Sequence, residues 1–280
     1  MFSGFMLNTW VAASIVAVVA GVVGFLVVLR GATFVAHALP QGAFAGAAGA
    51  ALIGVSAIVG LGSFAVLGAL GIAWMGRRAQ HSVATALVLV LMLGLGAMFL
   101  SLSVEYAHEV YSLLFGEVIG VARSELLPIA LLGATSVVAV ATLWRPLLFD
   151  SSLPQVAEAR GVRRTLLEVA FLLIVAMATS MTVPVVGAFL MFSLMVAPAA
   201  AARSLTDRPV RALMGSVAIA TVVAWLAIVL SYETNWPLGF FVGAEGAVAY
   251  ALARVVQLVR RSSGRHLVLS GEVAVGPGGS

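Results

Sequence analysis

His37 and Gln41 stand four residues apart in RGATFVAHALPQGAFAG, residues 30–46, a stretch that is otherwise small and apolar after its opening arginine. Residues at i and i+4 share one helix face, so the imidazole and the amide would point the same way. A ligating group inside an apolar span is costly and marks function by default. Imidazole suits zinc, iron or copper better than hard cations, which prefer carboxylates. The bland alternative is a histidine bonded to a neighbouring helix, close enough to a span end to be cheap. A transport site must also release its ion, so two or three ligands suit it better than a closed tetrahedral set.

Two further places carry metal-capable groups. In EYAHEVY, Glu105, His108 and Glu109 fall at i, i+3 and i+4, one face if the segment is helical. With the orientation derived below they lie at the outer mouth, either receiving or attracting a cation, or forming a solvated loop or docking surface. Glu117, Glu125 and Glu233 make the same side acidic. Glu245 lies within the last apolar run, as a path residue or as the partner of a polar neighbour. Met177, Met181, Met191 and Met195 could suggest thioether ligands for copper, but methionine is ordinary core filler. His81, beside Arg77 and Arg78, reads as solvated. No nucleophile–base–orienter set is visible, so no enzyme active site is expected.

The elements that must position these groups follow from composition. Of 280 residues, 62% are hydrophobic and 9% charged, and the mean hydropathy is +1.14. A soluble domain spends about a quarter of its residues on charge. Apolar runs of the roughly 20 residues needed to cross a bilayer recur along the chain, without the alternation of a β-barrel. The fold class is therefore an all-α, polytopic membrane protein. There is no cysteine, which excludes thiolate metal sites and disulfides. All fifteen basic residues are arginine. A Walker A loop needs a lysine on the nucleotide phosphates, so any ATP driving this chain is bound by another subunit. Residues 1–10 carry no positive charge, so the first run reads as a retained span rather than a cleaved signal.

Nine spans are expected: 7–29, 32–53, 55–75, 83–103, 125–144, 166–181, 185–202, 212–231 and 238–259. Thr179, Ser180, Thr182 and Pro184 offer a tight turn between the sixth and seventh. With Arg30 placed inside, alternation puts every arginine but Arg123 inside or near that side. That sets the N-terminus outside and the C-terminus inside, and makes the net charge of +4 a topology signal rather than a nucleic-acid patch. Gly42 and Gly46 form a GxxxG pair that would let helices pack closely. The permease domain spans residues 1–261, with a mixed apolar and charged connection at 145–164 and a Gly/Ser-rich, flexible tail at 262–280.

Four stretches, in order, resemble the permease subunits of metal-ion ABC transporters, which import zinc, manganese or ferrous iron. They are LLFGEVIGVARSEL (113–126), LLFDSSLPQVAEARGV (147–162), VGAFLMFSLMVAPAAAARSLTDR (186–208) and LSYETNWPLG (230–239). The resemblance extends from about Trp10 to Val259. It implies that 145–164 is the coupling segment that meets the ATPase, with Phe149, Asp150, Glu158, Ala159 and Gly161 on the matching motif. From the residues alone that segment is either a solvated loop or one whose apolar face enters a partner's groove. In the family, the stretch after the first span reads R-G-x-x-F-x-G-D-A-L-S-H-A. Laid without gaps, its aspartate falls on His37 and its histidine on Gln41; through a gap, His37 stands for the histidine itself.

The resemblance implies a multi-pass permease of the bacterial plasma (inner) membrane, a homodimer or otherwise paired. Two ATPase subunits would bind inside and an extracytoplasmic metal-binding protein outside. No cofactor would be bound permanently; the divalent metal (zinc, manganese or iron) is cargo. The competing expectations are an ion-coupled secondary transporter and a membrane anchor that transports nothing.

Overall fold

The computed structural model describes residues 4–76, 81–102, 123–161 and 163–272, with the backbone alone for 4–6, 154, 184–186, 189–190 and 261–272. Among the described residues there are ten helices and no strand. They are α1 (Gly4–Leu29), α2 (Thr33–Leu52), α3 (Ala57–Gly76), α4 (His81–Ser101), α5 (Arg123–Ser152), α6 (Pro154–Ala159), α7 (Arg164–Val186), α8 (Ala188–Leu205), α9 (Pro209–Thr234) and α10 (Leu238–Glu272). In hydrocarbon every backbone polar group must be paired within the protein, and a helix does this along its own length. Seven of the helices are long and apolar enough to cross a membrane unaided. Each of the nine expected spans falls on one of the long helices, while α6 has only six residues. α2 carries Pro40 and Gln41, which lower its apolar content, and the apolar part of α8 is the shorter stretch Met191–Leu205.

Burial separates the helices into inner and outer sets. Of the membrane-length windows, 72% of α1 and 67% of α7 are buried, against 22% of α5 and 28% of α4 and α10. α1 packs on α5, α7, α8 and α9; α2 packs on α3, α4, α7 and α8. Without a hydrophobic drive between helices in lipid, close contact comes from small residues. At Gly24 an added Cβ would lie 1.9 Å from the Met195 carbonyl oxygen, and at Gly21 it would lie 2.6 Å from the Val217 Cα. The Ser216 hydroxyl then reaches across to donate to the Gly21 carbonyl at 2.8 Å. Gly46 and Gly60 meet in the same way between α2 and α3.

Three boundaries differ from the expectation. The turn expected at Thr179–Pro184 does not form there: α7 runs on to Val186 and breaks at Gly187. The hydroxyls of Thr179, Ser180 and Thr182 donate to the carbonyls of Val175, Ala176 and Ala178 at 2.7–2.8 Å, so they are satisfied inside the helix. Gly187 has φ 89° and ψ 154°, a conformation open in practice only to glycine. The fifth span continues past Trp144: α5 stays helical to Ser152 because Leu147 and Asp150 are buried against the bundle. α10 also continues, to Glu272, so the first part of the Gly/Ser-rich tail is helical; residues 273–280 lie outside the description.

Candidate metal path

α2 leaves the α1–α2 corner at Gly31 and presents its polar pair within two turns. Between residues 35 and 48 every residue is buried except His37 and Gln41. Apolar neighbours seal the rest of this stretch against α3, α4, α7 and α8, so its sole opening is at an imidazole and an amide. Gln41 Nε2 lies 3.2 Å from His37 Nε2. With the amide N–H donating, His37 Nε2 accepts and the ring proton sits on Nδ1. The Gln41 carbonyl oxygen is then left as a further acceptor. The Phe192 ring stands edge-on to the imidazole at 5.0 Å and fixes its plane from α8.

Glu245 lies one helix away, on the far side of α8. Phe192 of α8 meets His37, and the next residue, Ser193, donates to the Val242 carbonyl of α10 at 3.4 Å. Gly246 packs on that same serine. Both Glu245 carboxylate oxygens are buried, with no hydrogen-bond partner among the described residues. Glu105, His108, Glu109 and Glu117 lie outside the described residues. Among the described residues no three His, Cys, Asp or Glu side chains group closely enough to hold a metal ion. The described residues therefore present the His37–Gln41 pair and no closed cage of His, Cys, Asp or Glu. Gly42 touches the flexible Met92 side chain, while Gly46 faces main chain.

At the end of the bundle that carries Arg30, the expected coupling residues divide into two groups. Phe149 and Asp150 close α5; Asp150 is 5% exposed. Glu158 and Ala159 lie on the exposed side of α6, and Gly161 follows it with φ 76°, which ends the short helix in a left-handed turn. The Arg160 guanidinium lies 5.9 Å from the Phe149 ring centroid. A cavity of about 800 Å³ opens here, lined by Arg30, His81, Glu158, Arg164 and Glu168 among others. His81 is not simply solvated: its Nε2 lies 2.5 Å from Glu168 Oε1, joining the start of α4 to α7. Sequence reasoning also missed Arg30 as anything but a topology marker. Arg30 Nη2 donates to Asp150 Oδ2 at 2.8 Å, with the two side chains 12% and 3% exposed. The isolated arginine at a span end was the available signal; its partner lies 120 residues away.

This is a multi-pass helical membrane protein whose described residues include a half-buried His–Gln pair on an otherwise buried stretch of α2 and a charged cluster at one end. Residues 3–257 match the ABC 3 transport family. The chain belongs to that family, that of the metal-ion ABC transporter permeases its motifs resemble, and is an integral protein of the plasma membrane. The manganese transport system membrane protein MntC of Listeria innocua is 26% identical over 255 residues, 90% of this chain and 88% of that one. The chelated iron transport system membrane protein YfeC of Yersinia pestis is 27% identical over 254 residues, 89% of this chain and 82% of that one. The solved structure of PsaBC from Streptococcus pneumoniae in complex with Fab shares the fold, with a TM-score of 0.81 at 20% identity over 90% of this chain and 91% of that one.

Proposed function

We propose that this chain is the membrane permease of an ABC importer for a divalent metal ion, zinc or manganese. Separate ATPase subunits drive it from the cytoplasm, and an extracytoplasmic binding protein delivers the ion. The chain crosses the membrane nine times with its N-terminus outside. The reading is carried by one observation: His37 and Gln41 are the sole break in the buried surface of α2 between residues 35 and 48. A cation passing this helix meets the Gln41 carbonyl oxygen and, once it displaces the amide N–H, the His37 Nε2 lone pair.

The pair is an open, two-ligand site, and among the described residues no three His, Cys, Asp or Glu side chains group into a closed cage. The working unit is a homodimer, in which a second copy presents the same pair. Imidazole in the place of the family's carboxylate tilts the preference from manganese toward zinc. The relatives' names, manganese and chelated iron transport, support the divalent class and leave the choice within it to the site.

Purified chain in liposomes is expected to take up no metal alone. Uptake should appear when the ATPase subunits and ATP are added, and uptake without ATP would overturn the proposal. One observation favours an ion-coupled secondary transporter instead: Glu245, a buried carboxylate in a span with no hydrogen-bond partner among the described residues. Under that reading, an ion gradient without ATP would drive uptake in the same liposomes.

A further inference from the structure

We propose that Arg30 is a positioning residue for transport: it clasps the coupling segment to the α1–α2 corner, so that displacement of α6 reaches His37. The inference rests on the function proposed above and adds the route by which the stroke arrives.

One guanidinium joins three helices. Nη2 donates to Asp150 Oδ2 at 2.8 Å and Nη1 to the Ser151 hydroxyl at 3.4 Å, both at the end of α5. Its Cζ lies 5.0 Å from the centre of the Phe171 ring on α7. The planar fork and the stacked face use two properties of arginine that lysine lacks. Asp150 depends on this contact: its other oxygen, Oδ1, is buried without a hydrogen bond, and its nearest charge is Arg164 Nε at 3.9 Å. A carboxylate taken out of water is held where its partner is. The end of α5 is thereby fixed to Arg30.

Both sides of the clasp are stiff. Toward the ATPase side, α5 ends at Ser152 and α6 begins at Pro154, with Leu153 alone between them. Leu153 N–H bonds the Phe149 carbonyl at 2.9 Å and Ala157 N–H bonds the Leu153 carbonyl at 2.9 Å, so the hydrogen-bond ladder runs across the joint. Toward the path, Arg30 N–H bonds the Leu26 carbonyl and Ala32 N–H the Val27 carbonyl, each at 2.9 Å. Ala36 N–H bonds the Ala32 carbonyl at 3.2 Å, so α2 starts straight from the corner and His37 follows at once. Gly31 turns the corner with φ 66°, and a Cβ there would touch nothing. The corner is tight because its backbone is closed, not because it is packed in. A push on α6 therefore arrives at the base of α2 through a short polar link, with no flexible loop in series.

The test uses the full chain in its complex with the ATPase subunits, with ATP hydrolysis and zinc or manganese uptake measured on the same proteoliposomes. Wild type must show ATP-dependent uptake; if it does not, the function proposed above fails, whatever the clasp does. Given that, Asp150→Asn and Arg30→Met should lower uptake per ATP hydrolysed about tenfold, a coupling change of the usual size between linked sites. Arg30→Lys, which keeps a charge on Asp150 but loses the fork and the stacked face, should recover only part of the ratio. An unchanged ratio of uptake to hydrolysis in Asp150→Asn overturns the inference. A parallel fall in uptake, hydrolysis and complex yield also overturns it, because the pair would then serve only to hold the fold. If Arg30→Met does not accumulate, the shape-matched Asp150→Asn and the charge-keeping Arg30→Lys still decide the matter.

Discussion

Replacing Gly46 by alanine adds one methyl group where α2 crosses α3. Its Cβ would lie 2.1 Å from the Gly60 carbonyl oxygen, and 2.7 Å from both the Gly60 carbonyl carbon and the Phe64 Cβ. The reciprocal change at Gly60 meets the Gly46 oxygen at 2.2 Å, so the two backbones touch with nothing between them. The obstacle is main chain, which has no rotamer to give way. The helices must part by about 1 Å to restore an ordinary carbon–oxygen separation, and overpacking of this kind costs about 1–3 kcal/mol. The gain in helix propensity from Gly to Ala offsets about 1 kcal/mol, leaving a net loss of up to about 2 kcal/mol. Gly94→Ala in α4 supplies the contrast: nothing lies within 4 Å of its added Cβ. That variant should be as stable as wild type or gain up to about 1 kcal/mol. Gly42→Ala should fall between, because its new methyl meets the Met92 sulfur at 2.7 Å, and a methionine side chain can swing aside. Thermal unfolding of purified chain in detergent, followed by tryptophan fluorescence, orders the three. The same parting of α2 from α3 moves His37 and Gln41, so Gly46→Ala should also lose uptake that Gly94→Ala keeps. If Gly46→Ala melts at or above wild type, the helices do not approach as closely as described, and the packing argument for these glycines fails.

Removing the imidazole in His37→Ala should raise the metal concentration for half-maximal uptake about tenfold, a loss of roughly 1.4 kcal/mol, with complex yield unchanged; unchanged uptake would take His37 off the path. His37→Asp restores a hard ligand and should move the uptake preference from zinc toward manganese, read as a ratio in competition between the two ions. The chain has no cysteine, so Glu158→Cys is a single label site on the exposed side of α6. A membrane-impermeant maleimide should modify it only in inside-out vesicles, and modification from the outside would reverse the proposed orientation and detach α6 from the ATPase.

Hydropathy carried the long helices because lipid leaves the backbone few choices, and it located their ends to within a few positions except at the C-terminal ends of α5, α7 and α10. It failed where a residue type has two uses. Thr179, Ser180 and Thr182 are turn formers in water, where their hydroxyls compete with the backbone, yet in α7 the same hydroxyls bond the carbonyls one turn back and leave the helix intact. The break fell to Gly187, one glycine among 29. The polar pair of α2 was visible because i and i+4 spacing is local. The bond between Arg30 and Asp150 was not, because nothing in either neighbourhood names a partner 120 residues away. His81 read as solvated for the same reason: Glu168 stands on another helix.

A neutral pair is an unusual choice for a divalent cation, and the choice has a consequence on the reading proposed here. His37 and Gln41 supply lone pairs but no formal charge, so binding is weaker than at a carboxylate and release correspondingly easier. An importer gains from that, since an ion held tightly on the path stops the cycle. Some charge must still meet the ion in a region where water does not screen it. Glu245, with both oxygens buried, stands one helix behind Phe192, on α10. Placed there, a carboxylate attracts the cation without ligating it, and the attraction does not have to be broken bond by bond when the ion leaves. Glu245→Gln should therefore weaken the apparent affinity for zinc and manganese alike, because a distant charge cannot tell them apart. His37→Asp should change their ratio. The two variants together separate attraction from selection, and equal effects from both would mean that Glu245 is itself a ligand.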